Sequence, residues 1–241
     1  MTTHIFDDAT AAAHACAHRI DRLLRQLLAS KARVSLAVSG GSTPAIMFEE
    51  LSKADVPWEN VHIFQVDERL VPPTDQESNY RLVREKLIEP AGIPSANVHR
   101  VFGDLPPAEA CERYADELRT FFGLGARDLP ILDVVHRGMG DEGHTASLFP
   151  NDPAVTNMKD LVAAVRVPKP PPARITLLPG VLVRASHTLM LVAGADKAEA
   201  VYQVLKGPED VLRFPAQIAA REGLEAEWFL DRRAAQRIDA G

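Results

Sequence analysis

The sequence predicts an α/β fold, an open and mainly parallel sheet of the Rossmann-like type with helices on both faces. Short apolar runs alternate with segments of helical periodicity along the chain, and repeated strand–helix–strand order is typical of parallel sheets. Glycine-rich turns follow two of the apolar runs, at 39–43 and 138–143, where open α/β sheets usually build their sites. No internal repeat or interdomain linker is recognisable, so we expect a single domain over residues 1–241.

The first half of the chain is predicted to alternate helices with strands. Apolar side chains such as Leu23 and Leu27 are spaced for one buried helix face. Pro44 suits the first turn of a helix, and Ser78 is a typical N-cap residue. The predicted helices span Asp8–Ala32, Pro44–Leu51, Ser78–Leu87 and Pro107–Phe122, and the predicted strands span Val34–Val38, Val61–Val66 and Val98–Phe102.

The second half continues the same alternation with fewer helices. A proline-rich run at 168–172 is too short for a linker between domains and is interpreted as a rigid surface loop. One helix is predicted at Asp196–Leu205. The predicted strands span Ile131–Val135, Arg174–Leu178, His187–Val192 and Trp228–Leu230.

Composition excludes several classes of protein. Apolar residues form 46% and charged residues 25% of the chain, as in ordinary globular proteins. A net charge of −6 argues against a general nucleic-acid surface, and Cys16 and Cys111 suit neither a disulfide framework nor a metal site. No run approaches the roughly 18 apolar residues that a membrane span needs. We expect a cytoplasmic monomer or weak homodimer that contacts neither nucleic acid nor membrane.

The first glycine-rich turn offers a seat for an anion. Gly40, Gly41, Ser42 and Thr43 join a strand to a helix, so backbone N–H groups and the positive end of the helix dipole meet there. The turn lacks the lysine and the glycine spacing of nucleotide-binding loops. The competing interpretation is a tight strand-to-helix turn without a ligand.

Further charged residues are predicted near the ends of strands. Asp67 and Arg69 follow the predicted strand 61–66, so they lie either on the rim of the site or in a surface ion pair of little energetic value. Arg174 and Lys197 add two cations near strand ends. Taken singly, each is more typical of a solvated side chain than of a ligand contact.

The second glycine-rich turn, residues 138–150, is the most informative segment. It places His144 two residues after Glu142 and three after Asp141. A neutral imidazole can take a proton from water near neutral pH, and a carboxylate on its other nitrogen would orient the ring and stabilise the imidazolium. Either carboxylate could act in this way. The competing interpretation is a structural histidine.

Together these segments resemble the 6-phosphogluconolactonase family, which shares a superfamily with the glucosamine-6-phosphate deaminases. The resemblance implies the phosphosugar isomerase/lactonase type of the fold. It also implies hydrolysis of 6-phospho-D-glucono-1,5-lactone in the oxidative pentose phosphate pathway, without a metal or organic cofactor. The matching segments are Ser39-Gly-Gly-Ser-Thr-Pro44, Asp67-Glu-Arg-Leu-Val-Pro72, Ser78-Asn-Tyr80, Gly143-His-Thr-Ala-Ser-Leu-Phe-Pro150, Pro168-Lys-Pro-Pro171, Arg174-Ile-Thr-Leu177, Gly194-Ala-Asp-Lys197 and Trp228-Phe-Leu-Asp231.

The resemblance also implies roles for individual residues. His144 matches the base that activates water in these lactonases, and Glu142 stands where the family usually has an aspartate beside that base. The small-molecule partner would be a phosphosugar lactone. The residues expected to bind it or its phosphate are Gly40, Gly41, Ser42, Thr43, Asp67, Arg69, Arg174 and Lys197.

Two alternative functions and one further departure stay open at this point. Deaminases of amino-sugar 6-phosphates carry a glutamate near the position of Phe149, which cannot do acid–base chemistry. A phosphosugar-sensing regulatory module would bind the sugar without needing His144 as a base. His136 and Arg137 stand before the turn, where the family tends to have apolar residues, and a charged pair there is costly unless it reaches solvent or a partner.

Overall fold

A computed structural model describes residues 1–221 and 226–238 of the chain, and a seven-stranded parallel sheet forms its centre. The predicted domain 1–241 therefore includes residues 222–225 and 239–241, which lie outside the described residues. The strand order is β1-β10-β9-β6-β2-β3-β5, and every neighbouring pair is parallel. Its strands are β1 Thr2–Phe6, β2 Val34–Val38, β3 Val61–Gln65, β5 Val98–His99, β6 Val134–Arg137, β9 His187–Val192 and β10 Ala226–Asp231. The predicted fold class is confirmed.

A second, three-stranded sheet in the order β4-β8-β7 is antiparallel and was not predicted. It pairs Arg69 with Arg174 and Val165 with Arg174 in register. Its strands are β4 Asp67–Arg69, β7 Val162–Arg166 and β8 Ala173–Leu177. The strand predicted at 174–178 therefore exists but belongs to this small sheet.

Helices cover both faces of the large sheet. Alternate residues of β2 show the division, since Leu36 packs into the cluster with helix α1, whereas Ala37 packs into the cluster with helix α5. In the part of the chain that the structure describes, no helix has the length and apolar character needed to cross a membrane. The helices are α1 Ala9–Leu28, α2 Ser42–Leu51, α3 Asn79–Val83, a π-helix Arg84–Ile88, α4 Glu89–Ala91, α5 Pro107–Phe122, α6 Pro179–Leu182, α7 Ala198–Leu205, α8 Ile218–Arg221 and α9 Arg232–Ala235.

Several predicted element boundaries are wrong. The strand predicted at 131–135 lies at Val134–Arg137, because Ile131 is 54% exposed and the pairing with β9 extends through Arg137. The strand predicted at 98–102 is two residues long. The strand β1, whose side chains are mostly exposed, was missed. Polar residues at strand ends and an exposed edge strand weaken the apolar signal that predicts strands.

The shift of β6 carries His136 and Arg137 into the centre of the sheet. Both side chains are completely buried, and among residues 1–221 and 226–238 neither makes a side-chain hydrogen bond. Burial lowers the pKa of His136 to about 3 and that of Arg137 to about 10 because the charged forms are poorly solvated there. Within the described residues, His136 and Arg137 thus reach neither solvent nor a hydrogen-bond partner.

Candidate active site

The carboxyl ends of four adjacent strands, β9, β6, β2 and β3, open into one cavity of about 270 Å³. This is the usual position of a ligand site in an open parallel sheet. The small sheet contributes further residues through β4 and β8. The residues that line the cavity are Ser39, Gly40, Gly41, Ser42, Thr43, Pro44, Asp67, Arg69, Asn79, Gly138, Met139, Gly140, His144, Ala146, Lys169, Arg174, Leu191, Val192, Ala193 and Lys197.

The turn after β2 presents the N-terminus of helix α2 to the cavity. Gly41 precedes the helix with φ of 134°, a conformation that favours glycine. Gly40 has a different constraint, since a Cβ atom there would overlap the side chain of Asn79. The unpaired N–H groups at the start of this ten-residue helix, together with Ser42 and Thr43, suit an anion.

Arginines from two strands face each other at the cavity. Arg69 on β4 and Arg174 on β8 are direct neighbours in the antiparallel pair, and both line the cavity. Like charges in this relation destabilise a sheet, and burial lowers the pKa of Arg174 despite the nearby Asp67 carboxylate. An anion between these guanidinium groups would offset both costs.

The lining of the cavity is cationic as a whole. Lys169 and Lys197 join the two arginines, whereas Asp67 is the one carboxylate among the lining residues that the structure describes. Lys197 Nζ lies 3.0 Å from Asp196 Oδ2 and 3.9 Å from Asp141 Oδ1. Four cations against one carboxylate favour an anionic ligand.

Asp67 links the two glycine-rich turns through hydroxyl groups. Its Oδ1 accepts a hydrogen bond from Ser39 Oγ at 3.1 Å, and its Oδ2 accepts one from Ser147 Oγ at 2.7 Å. Asn79 Nδ2 donates to the Asp67 carbonyl at 3.0 Å. Asp67 is buried, so these bonds hold the anion-binding turn and the histidine turn in a fixed relation.

Glu68, by contrast, is a structural carboxylate. It is buried and accepts hydrogen bonds from the backbone N–H groups of Arg69, Asn79 and Tyr80 at 2.6–2.7 Å. Its pKa is raised by burial, and these hydrogen bonds work in the opposite direction. The carboxylate therefore fixes the start of helix α3 against strand β4.

The histidine turn is closed by its own backbone. Gly140 N–H donates to the His144 carbonyl at 2.9 Å, and Gly143 N–H donates to the Gly140 carbonyl at 3.0 Å, with φ of 85° at Gly143. A Cβ atom at Gly140 would overlap the imidazole ring. The glycines are thus required for the ring to lie against the backbone.

His144 is held on two sides. Its ring stacks on Phe149 with centroids 4.0 Å apart, and its Nδ1 lies 2.9 Å from Glu142 Oε2. The sequence left Asp141 and Glu142 as alternatives, and the geometry places Glu142 on the imidazole. Within the described residues Nε2 has no hydrogen-bond partner, so the second ring nitrogen remains available at the cavity.

Lys169 is a site residue that sequence reasoning missed. It lies in the proline-rich loop, yet its Nζ reaches Asp141 Oδ1 at 2.6 Å and the two oxygens of Glu142 at 2.9 Å and 3.1 Å. The loop therefore closes over the histidine turn. Its segment Pro168-Lys-Pro-Pro171 belongs to the family resemblance, but a single lysine among prolines shows no periodic pattern that would predict its role.

The three groups Lys169, Glu142 and His144 form a chain of charge-assisted contacts. Burial raises the pKa of Glu142, but hydrogen bonds with His144 and Lys169 outweigh burial and hold this pKa well below its usual value. Burial lowers the pKa of Lys169, and its bonds to Asp141 and Glu142 outweigh that effect and raise it. Glu142 is therefore a carboxylate at neutral pH, as the partner of an imidazolium must be.

The structure brings the sequence-predicted site residues together. His144 and the eight predicted binding residues line the cavity, and Glu142 lies behind His144 rather than in the lining. No group of three or more histidine, cysteine, aspartate or glutamate side chains suits a metal ion within residues 1–221 and 226–238. Sequence reasoning did not identify Ser39, Asn79, Ser147 or Lys169, whose contacts depend on turn geometry.

Comparison with known proteins gives a consistent picture. Residues 7–228 match the family model described as glucosamine-6-phosphate isomerases/6-phosphogluconolactonase. The 6-phosphogluconolactonase of Synechocystis sp. is 34% identical over 216 residues, covering 89% of each chain. That of Homo sapiens is 35% identical over 216 residues, covering 87% of this chain and 83% of the relative. The crystal structure of 6-phosphogluconolactonase from Thermotoga maritima is similar with a TM-score of 0.83 at 30% identity, covering 95% of this chain and 99% of that one.

Proposed function

Because the chain belongs to the glucosamine-6-phosphate isomerase and 6-phosphogluconolactonase family, we propose that it hydrolyses 6-phospho-D-glucono-1,5-lactone to 6-phospho-D-gluconate. The observation that carries the proposal is that one cavity holds two features. The first is an anion-binding region, the anion seat, formed by the start of helix α2 and the neighbouring cationic side chains, and the second is a histidine paired with a carboxylate. The first suits the phosphate of the substrate, and the second suits the attack of water on its ester carbonyl. The reaction belongs to the oxidative pentose phosphate pathway.

The phosphate is proposed to bind between the helix α2 N-terminus and the cations. Gly40 and Gly41 allow close approach of backbone N–H groups, and Ser42 and Thr43 add hydroxyl donors. Arg69, Arg174 and Lys197 supply the opposing charge. Guanidinium groups make bidentate, charge-assisted bonds to phosphate oxygens, so binding would orient the sugar as well as hold it.

The chemistry is proposed to run through His144 Nε2. As a water oxygen attacks the lactone carbonyl carbon, Nε2 takes a proton from it, and Glu142 stabilises the resulting imidazolium through Nδ1. The tetrahedral intermediate then collapses, the bond between carbonyl carbon and ring oxygen breaks, and the imidazolium returns the proton to that oxygen. The carboxylic acid so formed releases the second water proton to solvent, and the product leaves as a carboxylate with its phosphate ester intact.

Asp67 is proposed to bind substrate hydroxyl groups while keeping the two turns in place. Its carboxylate oxygens already accept hydrogen bonds from Ser39 and Ser147, and each oxygen has a further lone pair.

The proposed steps need no metal or organic cofactor. The proposal also assigns the chain to the cytoplasm as a monomer or weak homodimer, consistent with a small soluble substrate.

The test is a lactonase assay with freshly generated lactone, coupled to a dehydrogenase that consumes 6-phosphogluconate. We expect hydrolysis well above the spontaneous rate. Product formation equal to the enzyme-free control would reject the proposal. The unphosphorylated glucono-1,5-lactone serves as the matched substrate control, and we expect it to react much more slowly because the anion seat stays empty.

Two further measurements on the same protein test the alternative functions, a deaminase and a phosphosugar-sensing module. Phe149, which stacks on His144, occupies the region where deaminases carry their glutamate, so we expect no ammonia from glucosamine 6-phosphate. A sensing module would bind 6-phosphogluconate without accelerating lactone hydrolysis. Binding with no turnover would therefore favour that alternative.

A further inference from the structure

A second cavity, of about 640 Å³, lies at the edge strand β5. It shares no lining residue with the candidate active site. Its walls come from the π-helix, the segment after β5 and helix α5. The volume falls in the range of small-molecule sites, about 300–1,000 Å³.

Two arginines in this lining converge on one aromatic ring. The Arg113 guanidinium carbon lies 3.6 Å from the Phe102 ring centroid, and that of Arg100 lies 4.0 Å from the same centroid. The Arg100 guanidinium carbon is also 5.1 Å from the Tyr80 centroid. Such cation–π contacts orient guanidinium groups without using up their N–H donors.

These two cations lack the carboxylate partners of their neighbours. Arg84, in the same lining, has Glu89 at 3.3 Å and Glu85 at 3.7 Å. Within residues 1–221 and 226–238, neither Arg100 nor Arg113 has a carboxylate oxygen within 4.0 Å, and Arg100 makes only a 3.5 Å contact with the Val101 carbonyl. Because these two guanidinium groups lie close together and have no paired carboxylate, they favour the binding of an anionic ligand.

The rest of the lining is mixed, with apolar, aromatic and polar side chains. Its two carboxylates already have partners, since Glu89 lies 3.3 Å from Arg84 and Glu117 lies 2.5 Å from His99. Ile88 and Ile93 are buried at the wall of the cavity, and Tyr80 and Phe102 expose part of their rings. Arg84 and Ile88 belong to a π-helix, a rare element that often marks functional sites. A ligand that suits this lining carries a planar apolar part beside a negative charge.

We propose that this cavity binds an aromatic organic anion of the nucleoside diphosphate class. The base would lie against the apolar wall and the Tyr80 ring, and the phosphates would accept bonds from Arg100 and Arg113. This site is independent of the lactonase proposal and uses none of its residues. The two cavities are nevertheless adjacent along the chain at one point, because Asn79 lines the first cavity and Tyr80 lines the second.

The test is calorimetric titration of the full chain with ADP, with adenosine and pyrophosphate as probes that lack either the charge or the base. At the second cavity we expect saturable ADP binding and much weaker binding of both fragments. Because the first cavity is itself an anion seat, the pyrophosphate comparison is made with the Arg174→Gln variant. An Arg113→Gln substitution should weaken ADP binding by about tenfold or more, since it removes charged hydrogen bonds. Arg113 is exposed, so this variant is expected to fold; unfolding curves check that.

Two further variants keep the result specific. Arg119→Gln changes another arginine of helix α5, one that pairs with Asp116 and lies outside the second cavity, and it should leave ADP binding unchanged. Arg174→Gln weakens the anion seat of the first cavity and should also leave ADP binding unchanged. Binding that is lost in Arg174→Gln but kept in Arg113→Gln would overturn the proposal. So would pyrophosphate binding as tight as that of ADP in the Arg174→Gln variant, in which the anion seat of the first cavity is weakened, or no binding at millimolar ADP.

Discussion

Strand β6 and the turn that follows it each carry a histidine close to a charged side chain, but the two pairs lie in different surroundings. His136 and Arg137 end the strand with no exposed surface. Glu142 and His144, a few residues further on, keep 30% and 17% of their side chains exposed. A histidine close to a charged residue therefore occurs twice within one short stretch, and of these two histidines His144 lines the cavity and His136 does not.

The difference lies in partners as much as in burial. In the turn, His144 contacts Glu142 and Glu142 is paired with Lys169, so each of these side chains has a partner. In the strand, no hydrogen-bond partner within the described residues reaches the His136 ring or the Arg137 guanidinium. A charge that is paired and open to a cavity can do chemistry, whereas a buried unpaired charge only reduces stability.

The largest expected effect tests the turn. His144→Ala removes the proposed base, and we expect kcat for the phosphorylated lactone to fall by about 10²- to 10⁴-fold, the usual contribution of a general base. Binding of 6-phosphogluconate should persist because the anion seat is intact. Steady-state kinetics and product binding by calorimetry measure the two quantities.

His136→Leu is the matched control for this histidine. Its ring makes an edge contact with Phe48 in the core and lies outside the cavity lining, so we expect kcat within about twofold of the parent chain. Equal losses of kcat in His144→Ala and His136→Leu would contradict the assignment of His144 as the base.

The second prediction tests the strand. Arg137→Met replaces an unpaired buried guanidinium by an apolar chain that can fill much of the same space, and we expect the free energy of unfolding to rise by about 1 to 4 kcal/mol. Urea unfolding at neutral pH measures it. The exposed Arg119→Met serves as the control, with a change below about 0.5 kcal/mol. A loss of stability in Arg137→Met would mean that the guanidinium has a partner in solution.

The third prediction concerns acid sensitivity. Burial lowers the pKa of His136 from 6.5 to about 3, so between these values the unfolded chain binds a proton that the folded chain does not. The free energy of unfolding therefore falls as pH falls through this window, by up to about 1.4 kcal/mol per pH unit. His136→Leu should lose about 2 kcal/mol less than the parent chain between pH 7 and pH 5. Parallel pH curves for the two proteins would contradict the assigned burial.

The accuracy of the sequence predictions followed the strength of the local signal. The strands at 34–38 and 187–192 and the helix at 107–122 were predicted to the residue. Mostly apolar runs mark the two strands, broken by Ser35 in the first and beginning after Thr188 in the second. Pro107 and Gly123 mark the helix ends. The strand β6 was misplaced because His136 and Arg137 read as a strand end. The small sheet was missed because β4 consists of three charged residues and β7, with the sequence Val-Ala-Ala-Val-Arg, shows no alternation of apolar and polar residues.

The site was predictable where its residues follow strands directly. Gly40, Asp67 and His144 follow β2, β3 and β6 at short distance, and the parallel sheet brings those ends together. Lys169 lies on the loop between β7 and β8, two of the three strands of the small sheet, so its position depended on a sheet that was not predicted. The choice of Glu142 over Asp141 depended on turn geometry in the same way. The single domain over 1–241 and the catalytic roles stay predictions.

The smallest expected effect concerns the last link in the charge chain of the turn. Lys169→Met removes the ammonium that neutralises Glu142, so the carboxylate then stabilises the protonated imidazole more strongly. We expect the acid limb of kcat/KM to move to higher pH by about 0.5 to 1 unit, because the contact is partly exposed and screened. Lys169→Arg keeps the charge and should keep the limb in place. An acid limb that stays fixed in both variants would show that Lys169 anchors the loop without changing the basicity of His144. The strand and the turn would then differ in the geometry of their contacts and not in the charge that Lys169 supplies.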